Sequence, residues 1–257
     1  MAPISRLDHV VIAVPNLDEA AATYRKFGFA LTPRGFHEGK GTGNHCIMFG
    51  KTYIELLGVV DATGAEGRLA GRVKARGEGA IAIAYGADDA DKTCAALRAA
   101  GIEAEDPNDL SRPLDLDGKC EMVRFRNINM PGLKLPDTMQ FVCTHLTPEL
   151  TRARHEWQLH PNGAVGVAKI NLALDNPQSA KLELARLFDK LENTKIEIQK
   201  RDQGIREGIV GLTIRVTEID AVAAMLDMGR IPHSTSRQSV TVPATAAHGV
   251  ALEFTDD

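Results

Sequence analysis

The sequence predicts an α+β fold built from tandem βαβββ modules, and three observations lead to this prediction. A pattern of apolar strand, polar break and alanine-rich helix starts four times along the 257 residues. Further short strand-like segments follow most of these starts, which gives the order β-α-β-β-β. Apolar residues make up 44% of the chain, enough to form a core without disulfides. We therefore expect four modules arranged as two pairs.

The first module begins with the apolar strand "LDHVVIAV". Asn16 or Asp18, in the break that follows, is expected to cap the helix by accepting backbone N–H bonds. Gly28 is expected to end the helix, because glycine tolerates a positive φ. The segments "FALTPR", "NHCIMFG" and "TYIELLGV" then read as strands, with a tight turn at Gly50 between the last two.

The later modules follow the same order with two differences. Aligning Gly28 with Gly101 gives an offset of 73 residues for the second module, whose segment "PNDLSRPLDLDGKC" is predicted as an exposed loop. The third module has one clear strand after its helix, "TKIEIQ", and is therefore shortened. We expect a first half at 1–146 that carries the site, a connection at 147–162 and a shorter second half at 163–257.

Composition favours a small molecule as the partner. The 30 basic and 34 acidic residues are spread along the chain and give a net charge of -4, so neither nucleic acid nor a membrane is expected. No run reaches the roughly 18 apolar residues of a spanning helix. Cys46, Cys94, Cys120 and Cys143 are far apart in sequence. We expect reduced thiols in a cytoplasmic protein, with either a monomer or a homodimer as its assembly.

Two polar residues interrupt the apolar strands of the first module. His9 lies in the first strand and Glu55 in the fourth, and a buried carboxylate is costly unless it is paired or binds a cation. His45 lies opposite residue 55, 56 or 57, and two of these registers give it the same face as Glu55. The alternatives are a hydrogen-bonded core histidine and a structural ion pair.

These segments resemble the vicinal oxygen chelate superfamily, and within it the bacterial glyoxalase-like proteins. The resemblance rests on "LDHVVIAVPNLDEAAATYRKFGF", on "TPRGFHEGKGTGNHCIMFGKTYIELLGV", and on "LHPNGAVGV" and "HGVALEF" in the second half. It implies paired βαβββ modules whose sheets close around a cleft. It also implies a divalent metal that is held by His or Glu from the first and fourth strands and chelates two neighbouring substrate oxygens.

The resemblance assigns roles to residues of the first module pair. His9 matches the first-strand ligand and Glu55 the fourth-strand ligand, and His45 is added as a third metal ligand. Glu55 and His45 are also expected to act in catalysis. Gln140 is expected to act with them, because aligning "YIELLGV" with "MQFVCTH" puts it at the position of Glu55.

The other modules depart from this ligand pattern. At the position of His9 stand Ala82 or Ala80 in the second module, Lys169 in the third, and Val210 or Gly211 in the fourth. Glu253 matches the carboxylate position of the fourth module. A lysine near a carboxylate suggests a salt bridge where other members of the superfamily have a metal.

Three more residues are candidates for substrate binding. Arg124 and Arg126 lie two apart on a strand and so share a face, where they either bind an anionic group or are solvated. Trp157 stands among His145, His155 and His160, and it would form an aromatic wall if the connection folds over the cleft. His37 lies in a predicted loop and is expected to be solvated.

The resulting hypothesis is a metal-dependent lyase or isomerase, or else a dioxygenase, that acts on a small substrate with vicinal oxygens. Imidazole and carboxylate ligands suit Zn, Mn, Fe, Co or Ni. Lyase or isomerase chemistry is favoured because the His, His, Glu triad of extradiol dioxygenases is not evident. The alternative is a metal-free protein that binds and sequesters a small molecule, for which the missing second-module ligands are expected.

Overall fold

The structure is a computed structural model that describes residues 2–37, 41–60 and 68–256. The first half contains β1 (Arg6–Val14), α1 (Leu17–Lys26), β2 (Gly35–His37), β3 (Thr42–Phe49), β4 (Thr52–Val59), α2 (Arg68–Arg76), β5 (Gly79–Gly86), α3 (Ala90–Ala99), β6 (Asn108–Leu116), β7 (Lys119–Asn129) and β8 (Met139–His145). After it come α4 (Pro148–Thr151), β9 (Ala164–Leu174), α5 (Pro177–Ala185), β10 (Lys195–Lys200), β11 (Gly208–Val216), α6 (Ile219–Met228), β12 (Ser234–Thr235), β13 (Val240–Val242) and β14 (Ala251–Thr255). None of these helices is long and apolar enough to cross a membrane.

The first two modules form one eight-stranded sheet in the order β2-β3-β4-β1-β5-β8-β7-β6. β1 and β5 are antiparallel neighbours at its centre, and each has the last strand of its own module in parallel on its outer side. Val10 pairs with Ile83, its equivalent at an offset of 73 residues. On either side of it, His9 pairs with Ala84, the equivalent of Val11, and Val11 pairs with Ala82, the equivalent of His9. The two modules are thus related by a local two-fold axis, and the offset read from the sequence is confirmed.

The other two modules form a six-stranded sheet in the order β10-β9-β11-β14-β13-β12. β9 and β11 are antiparallel at its centre, with β10 and β14 parallel on their outer sides. Residues 164–207, all of which the structure describes, contain only β9, α5 and β10. The third module therefore keeps its first and last strands without the two between them, which confirms that it is shortened.

One apolar core joins the two sheets. It contains Leu7, Val10 and Ile12 of β1 together with strand residues of the second half such as Leu172 and Phe254. Side chains of α1, α3, α5 and α6 complete this core. α2 packs on the opposite face of the eight-stranded sheet, against a separate apolar cluster. That opposite face is therefore the one available to a ligand.

Local signals at the first helix act as the sequence indicates. The Asn16 side chain accepts the backbone N–H groups of Asp18 and Glu19, which caps the N-terminus of α1. Gly28, just after the helix, has φ 84°. The segment "FALTPR" is not a strand, and β2 lies further on at Gly35–His37. Pro33 lacks the N–H that a strand pairing requires.

The predicted loop "PNDLSRPLDLDGKC" is instead largely β6, the outer strand of a hairpin with β7. Leu116 pairs with Lys119, so the turn consists of Asp117 and Gly118, whose φ angles are 58° and 82°. An Asp-Gly pair with two positive φ angles is typical of a two-residue hairpin turn, and it is the sequence signal for β6. An edge position also tolerates Pro113 and the polar residues of this strand.

Candidate functional site

A cavity of about 1170 Å³ lies on the face of the eight-stranded sheet that α2 covers. Its walls come from both modules of the sheet, from α2 and from the turn that carries Trp157. Most lining residues are apolar, and the polar ones include His9 of β1 and Glu55 of the adjacent β4. A large apolar cavity with a few converging polar groups is the typical form of a small-molecule site.

His9 and Glu55 meet in this cavity, as their positions in the sequence indicated. Both are buried, and His9 Nε2 lies 3.6 Å from Glu55 Oε2. Asn44 donates a hydrogen bond from Nδ2 to Glu55 Oε1 at 2.6 Å. His37 Nε2 approaches the same oxygen at 3.9 Å. His37, expected to be solvated, is therefore a half-buried residue of the cavity wall.

Asp8 lies behind His9 and fixes the orientation of its ring. Asp8 Oδ1 is 2.6 Å from His9 Nδ1 and 3.2 Å from His145 Nε2. Burial opposes ionisation of this carboxyl, but hydrogen bonds with His145 and His9 outweigh it and hold the pKa of Asp8 well below its usual range. An ionised carboxylate only accepts, so Nδ1 of His9 carries the proton of this hydrogen bond, and Nε2 is the nitrogen that faces Glu55.

A β-bulge brings Asp8 and His9 to the same side of the sheet. The register between β1 and β5 shifts between Leu7 and His9, which leaves Asp8 as the extra residue. Leu7 and Val10 both enter the core on the other side, although they are three residues apart. Strict alternation would put Asp8 opposite His9, which is why sequence reasoning missed it.

Aromatic rings enclose the polar pair. The Tyr53 ring stacks on His9 at 4.4 Å between centroids, and Phe141 meets His9 edge-on at 5.5 Å. Trp157 packs with Met48 and Leu114 in a cluster at the same cavity. The connection thus folds back over the sheet and supplies an aromatic wall. His145 belongs to the end of β8 rather than to the connection.

His45 is not brought to the cavity. It pairs with Leu56, the middle of the three registers, so alternation turns it away from Glu55. Its Nδ1 lies 2.8 Å from the Thr32 carbonyl oxygen. Burial lowers the pKa of His45, opposed by the bond to Thr32. The expected roles of His45 as ligand and catalyst have no geometric basis, because the residue faces the core.

Gln140 also faces away from the cavity. β5 and β8 pair Ala84 with Phe141, which the two-fold axis relates to the pair Val11–Glu55. Phe141, not Gln140, therefore stands at the position of Glu55, one residue from the sequence alignment. Gln140 Oε1 instead accepts a hydrogen bond from the Tyr85 hydroxyl at 2.7 Å. Ala82 takes the position of His9, as the 73-residue offset indicated.

The two arginines of β7 do not line the cavity either. Arg126 forms ion pairs with Asp91 of α3 at 2.6 Å and with Asp109 at 2.9 Å. Arg124 is exposed. The cavity is lined instead by the alternate residues Phe125 and Asn127 of the same strand. The two arginines share a face of the strand, as predicted, but it is the face opposite the cavity.

Other histidines and arginines near the site have structural partners. His160 Nε2 lies 2.9 Å from the Met48 carbonyl oxygen, and its Nδ1 accepts the Ala30 N–H at 3.0 Å. Arg72 and Arg76 of α2 line the cavity and both contact Asp137 Oδ1, at 2.7 and 2.9 Å. A further cavity arginine, Arg112 of β6, was not singled out in the sequence because its segment read as a loop.

The second sheet carries different groups at the equivalent positions. β9 and β11 are also related by a local two-fold axis, in which Lys169 is equivalent to Gly211 and Asn171 to Thr213. Gly211 is therefore the fourth-module residue at the histidine position. Lys169 Nζ lies 3.3 Å from Glu197 Oε1, which forms the salt bridge expected for this lysine. Glu253 accepts a hydrogen bond from the Thr213 hydroxyl at 2.8 Å.

The donor set at His9 and Glu55 fits a divalent transition metal. An imidazole whose other nitrogen donates to a carboxylate is the usual form of a histidine ligand, and Asp8 supplies that carboxylate. A second group, Asp8, Cys143 and His145, has donor atoms within 4.8 Å of one another. It fits less well for two reasons. The Asp8 carboxylate already bonds with His9 and His145, and burial raises the pKa of the Cys143 thiol well above its usual value.

One solved structure shares this fold over nearly the whole chain. A hypothetical protein from Staphylococcus aureus has a similar structure, with a TM-score of 0.70, 14% identity and coverage of 97% of this chain and 98% of its own. Methylmalonyl-CoA epimerase from Mycobacterium tuberculosis aligns at 21% identity over 56% of this chain and 90% of its own, with a TM-score of 0.43. A Streptomyces coelicolor variant of that enzyme, in complex with 2-nitronate-propionyl-CoA, aligns at 22% identity over 56% of this chain and 96% of its own, with a TM-score of 0.43.

No curated protein matches the chain. The model of the family described as "Glyoxalase-like domain" matches residues 7–188, which span both modules of the eight-stranded sheet, the connection and the start of the second half. The resemblance to the vicinal oxygen chelate superfamily is thereby confirmed, and the chain belongs to the glyoxalase-like domain family.

Proposed function

We propose that this protein is a metal-dependent lyase or isomerase that acts on a small substrate with two neighbouring oxygen atoms. The observation that carries the proposal is the buried pair of His9 and Glu55, 3.6 Å apart in the cavity. Asp8 supports it by fixing the tautomer of His9. Two protein ligands leave coordination positions open for two substrate oxygens.

Each residue of the pair has a defined task in this proposal. His9 Nε2 and Glu55 would hold the metal, which supplies a positive charge that polarises a substrate carbonyl. Asn44 orients Glu55 through the 2.6 Å hydrogen bond to Oε1. Glu55 Oε2 is the oxygen placed to move a proton between neighbouring substrate carbons or oxygens. Trp157 and Tyr53 reduce the access of water to the reacting atoms.

Proton-transfer chemistry is favoured over ring cleavage by dioxygen. The second module contributes Ala82 and Phe141 where a further histidine and carboxylate would complete a larger ligand set. A small ligand set with a carboxylate at hand is suited to enediolate chemistry, in which one proton leaves a carbon beside a carbonyl and returns to its neighbour.

The first experiment measures the metal content of protein purified without chelator. We expect about one transition-metal ion per chain in the wild type and less than about a tenth of that in His9→Ala and Glu55→Gln. Glu253→Gln is the matched control, because it removes a carboxylate at the equivalent position of the second sheet. Folded wild-type protein without metal would overturn the proposal.

The second experiment tests the reaction. Small 2-hydroxycarbonyl compounds are incubated with the enzyme in D₂O, and loss of the carbon-bound proton is followed by NMR. Exchange should disappear on chelation, return with added metal and be reduced at least about 100-fold in Glu55→Gln. Exchange that is indifferent to chelator and to Glu55→Gln would contradict the assignment.

The alternative is a metal-free protein that binds and sequesters a small molecule. It is favoured by one observation, the apolar residues Ala82 and Phe141 at the metal-ligand positions of the second module. In that case His9 and Glu55 are a buried ion pair that contacts the ligand. The metal analysis decides between the two functions, because only the first requires a stoichiometric ion.

A further inference from the structure

We propose that Arg112 binds the carboxylate of the substrate, so that the substrate class is small carboxylic acids with a carbonyl or hydroxyl group near the acid. This inference deepens the proposed function and rests on it. It goes beyond the proposed function because it names a residue that binds an anion, and therefore predicts that the substrate is negatively charged.

The first argument is the unused hydrogen-bonding capacity of Arg112. The residue projects from β6 into the cavity wall. Its Nη1 is buried and has no hydrogen-bond partner in the part of the chain that the structure describes. A buried guanidinium nitrogen without an acceptor is unfavourable, and a ligand oxygen at this place would satisfy it.

The second argument is the charge balance of the cavity. Three arginines line it, and Arg72 and Arg76 both form ion pairs with Asp137. Arg112 forms no ion pair with any residue in the described ranges 2–37, 41–60 and 68–256. One guanidinium without a counter-ion matches one carboxylate in both charge and planar geometry.

The third argument is the short path from Arg112 to the reactive pair. An ideal β-carbon at Gly35 would lie 2.8 Å from Arg112 Nη1 and 2.4 Å from Asn44 Oδ1, so both atoms flank one point. Asn44 in turn donates to Glu55 at 2.6 Å. Arg112 is thus separated from Glu55 by a single side chain. A small acid held at Arg112 places its neighbouring oxygens towards Glu55 and His9.

Gly35 has a role in this arrangement. Any larger residue would introduce a β-carbon into the space that Arg112 and Asn44 share. Because no positive φ is required there, Gly35→Ala is compatible with the backbone, and its β-carbon displaces Arg112 and Asn44 while the charge of Arg112 remains. It therefore tests the placement of these two side chains with the guanidinium still present.

The test is calorimetric binding of 2-oxobutyrate, malonate, methyl 2-oxobutyrate and inorganic phosphate. We expect the wild type to bind at least one of the two carboxylates about tenfold more tightly than the neutral ester. Arg112→Gln should weaken that binding about tenfold or more, since a charge-assisted hydrogen bond is lost, and leave ester binding unchanged. Gly35→Ala should weaken it too, and Arg112→Lys should restore part of it.

Arg126→Gln is the matched control, because Arg126 lies on the neighbouring strand and faces away from the cavity. Equal carboxylate affinity in wild type and in folded Arg112→Gln would overturn the inference. Binding of the ester as tightly as the acid would do the same. Tighter, Arg112-dependent binding of phosphate would replace the substrate class by phosphate compounds.

The two proposals fail in different ways. Metal-free wild-type protein with Arg112-dependent carboxylate binding would overturn the proposed reaction and leave Arg112 as the anion site of a binding protein. Metal that is lost in His9→Ala, together with carboxylate binding that ignores Arg112→Gln, would overturn only the inference about Arg112.

Discussion

The two sheets of this protein share one central plan but differ in what their open faces carry. Each has an antiparallel pair of first strands flanked by parallel last strands. In the eight-stranded sheet this face forms the cavity with His9 and Glu55. In the six-stranded sheet the related positions carry Lys169 with Glu197 and Gly211 with Glu253.

The difference shows how burial of the sheet face controls the strength of interactions between its charged side chains. The Lys169 and Glu197 side chains are 37% and 55% exposed, so water solvates both ions and their pairing is weak. The Glu55 side chain is 11% exposed and sits beside an imidazole. Without the two missing strands of the third module, the second sheet forms a smaller wall. Burial therefore makes a partner for the Glu55 carboxylate matter more than a partner for Glu197, and the proposed cation would bind in the first sheet.

The largest effect on stability is expected from substitution of Asp8, a buried carboxylate of the first sheet. Asp8→Asn removes a carboxylate that pairs with two histidines, and we expect it to lower the free energy of unfolding by about 3 kcal/mol. It should also reduce metal affinity, because His9 loses its fixed tautomer. Urea denaturation and metal titration measure both. A stability change no larger than that of Glu253→Gln would erase the contrast between the sheets.

The next prediction supplies the second module with the ligand it lacks. Phe141 touches the His9 ring and stands at the two-fold equivalent of Glu55. Phe141→Glu should add a carboxylate ligand and raise metal affinity about tenfold or more. Phe141→Gln is its control, with similar volume and no charge. Equal metal affinity in the two variants would show that position 141 does not reach the metal.

Acid sensitivity should also originate beside the eight-stranded sheet. Burial lowers the pKa of His45, which lies on β3, and of His160, which contacts the Met48 carbonyl oxygen of β3. In the unfolded chain their pKa is about 6.5, so the unfolded state binds more protons and stability falls as pH drops below about 6.5. Each histidine contributes a slope of up to about 1.4 kcal/mol per pH unit.

The lowered pKa of Asp8 acts in a separate window, with stability present above about pH 4 and lost in stronger acid. Urea denaturation of the wild type and of His160→Asn between pH 7 and pH 5 checks the histidine prediction. The slope should be smaller in the variant. An unchanged slope would exclude His160 as a source of the acid sensitivity.

The smallest effect is expected in the second sheet. Lys169→Gln breaks the exposed pair with Glu197, and we expect a change in unfolding free energy within about 0.5 kcal/mol. Metal content should stay that of the wild type. A loss of metal in this variant would place a functional ion in the second sheet and reverse the comparison. Denaturation and metal analysis of one preparation suffice.

The sequence alone determined the first strand and helix of each module and the two residues of the polar pair. Four module starts, the 73-residue offset and the shortened third module follow from local apolar patterns, capping residues and glycines. His9 and Glu55 are recognisable because a polar residue inside a buried strand is unusual. Trp157 is recognisable as the single tryptophan of the chain, but the sequence left open whether its connection folds over the sheet.

Only the tertiary structure decided which neighbouring residues join them. Side chains alternate along a strand, so a shift of one residue between strands moves every side chain to the other face. One such step separates Gln140 from Phe141, and the register of one hairpin turns His45 to the core. The bulge that admits Asp8 and the hairpin that delivers Arg112 depend on pairing between distant segments, which local patterns do not specify.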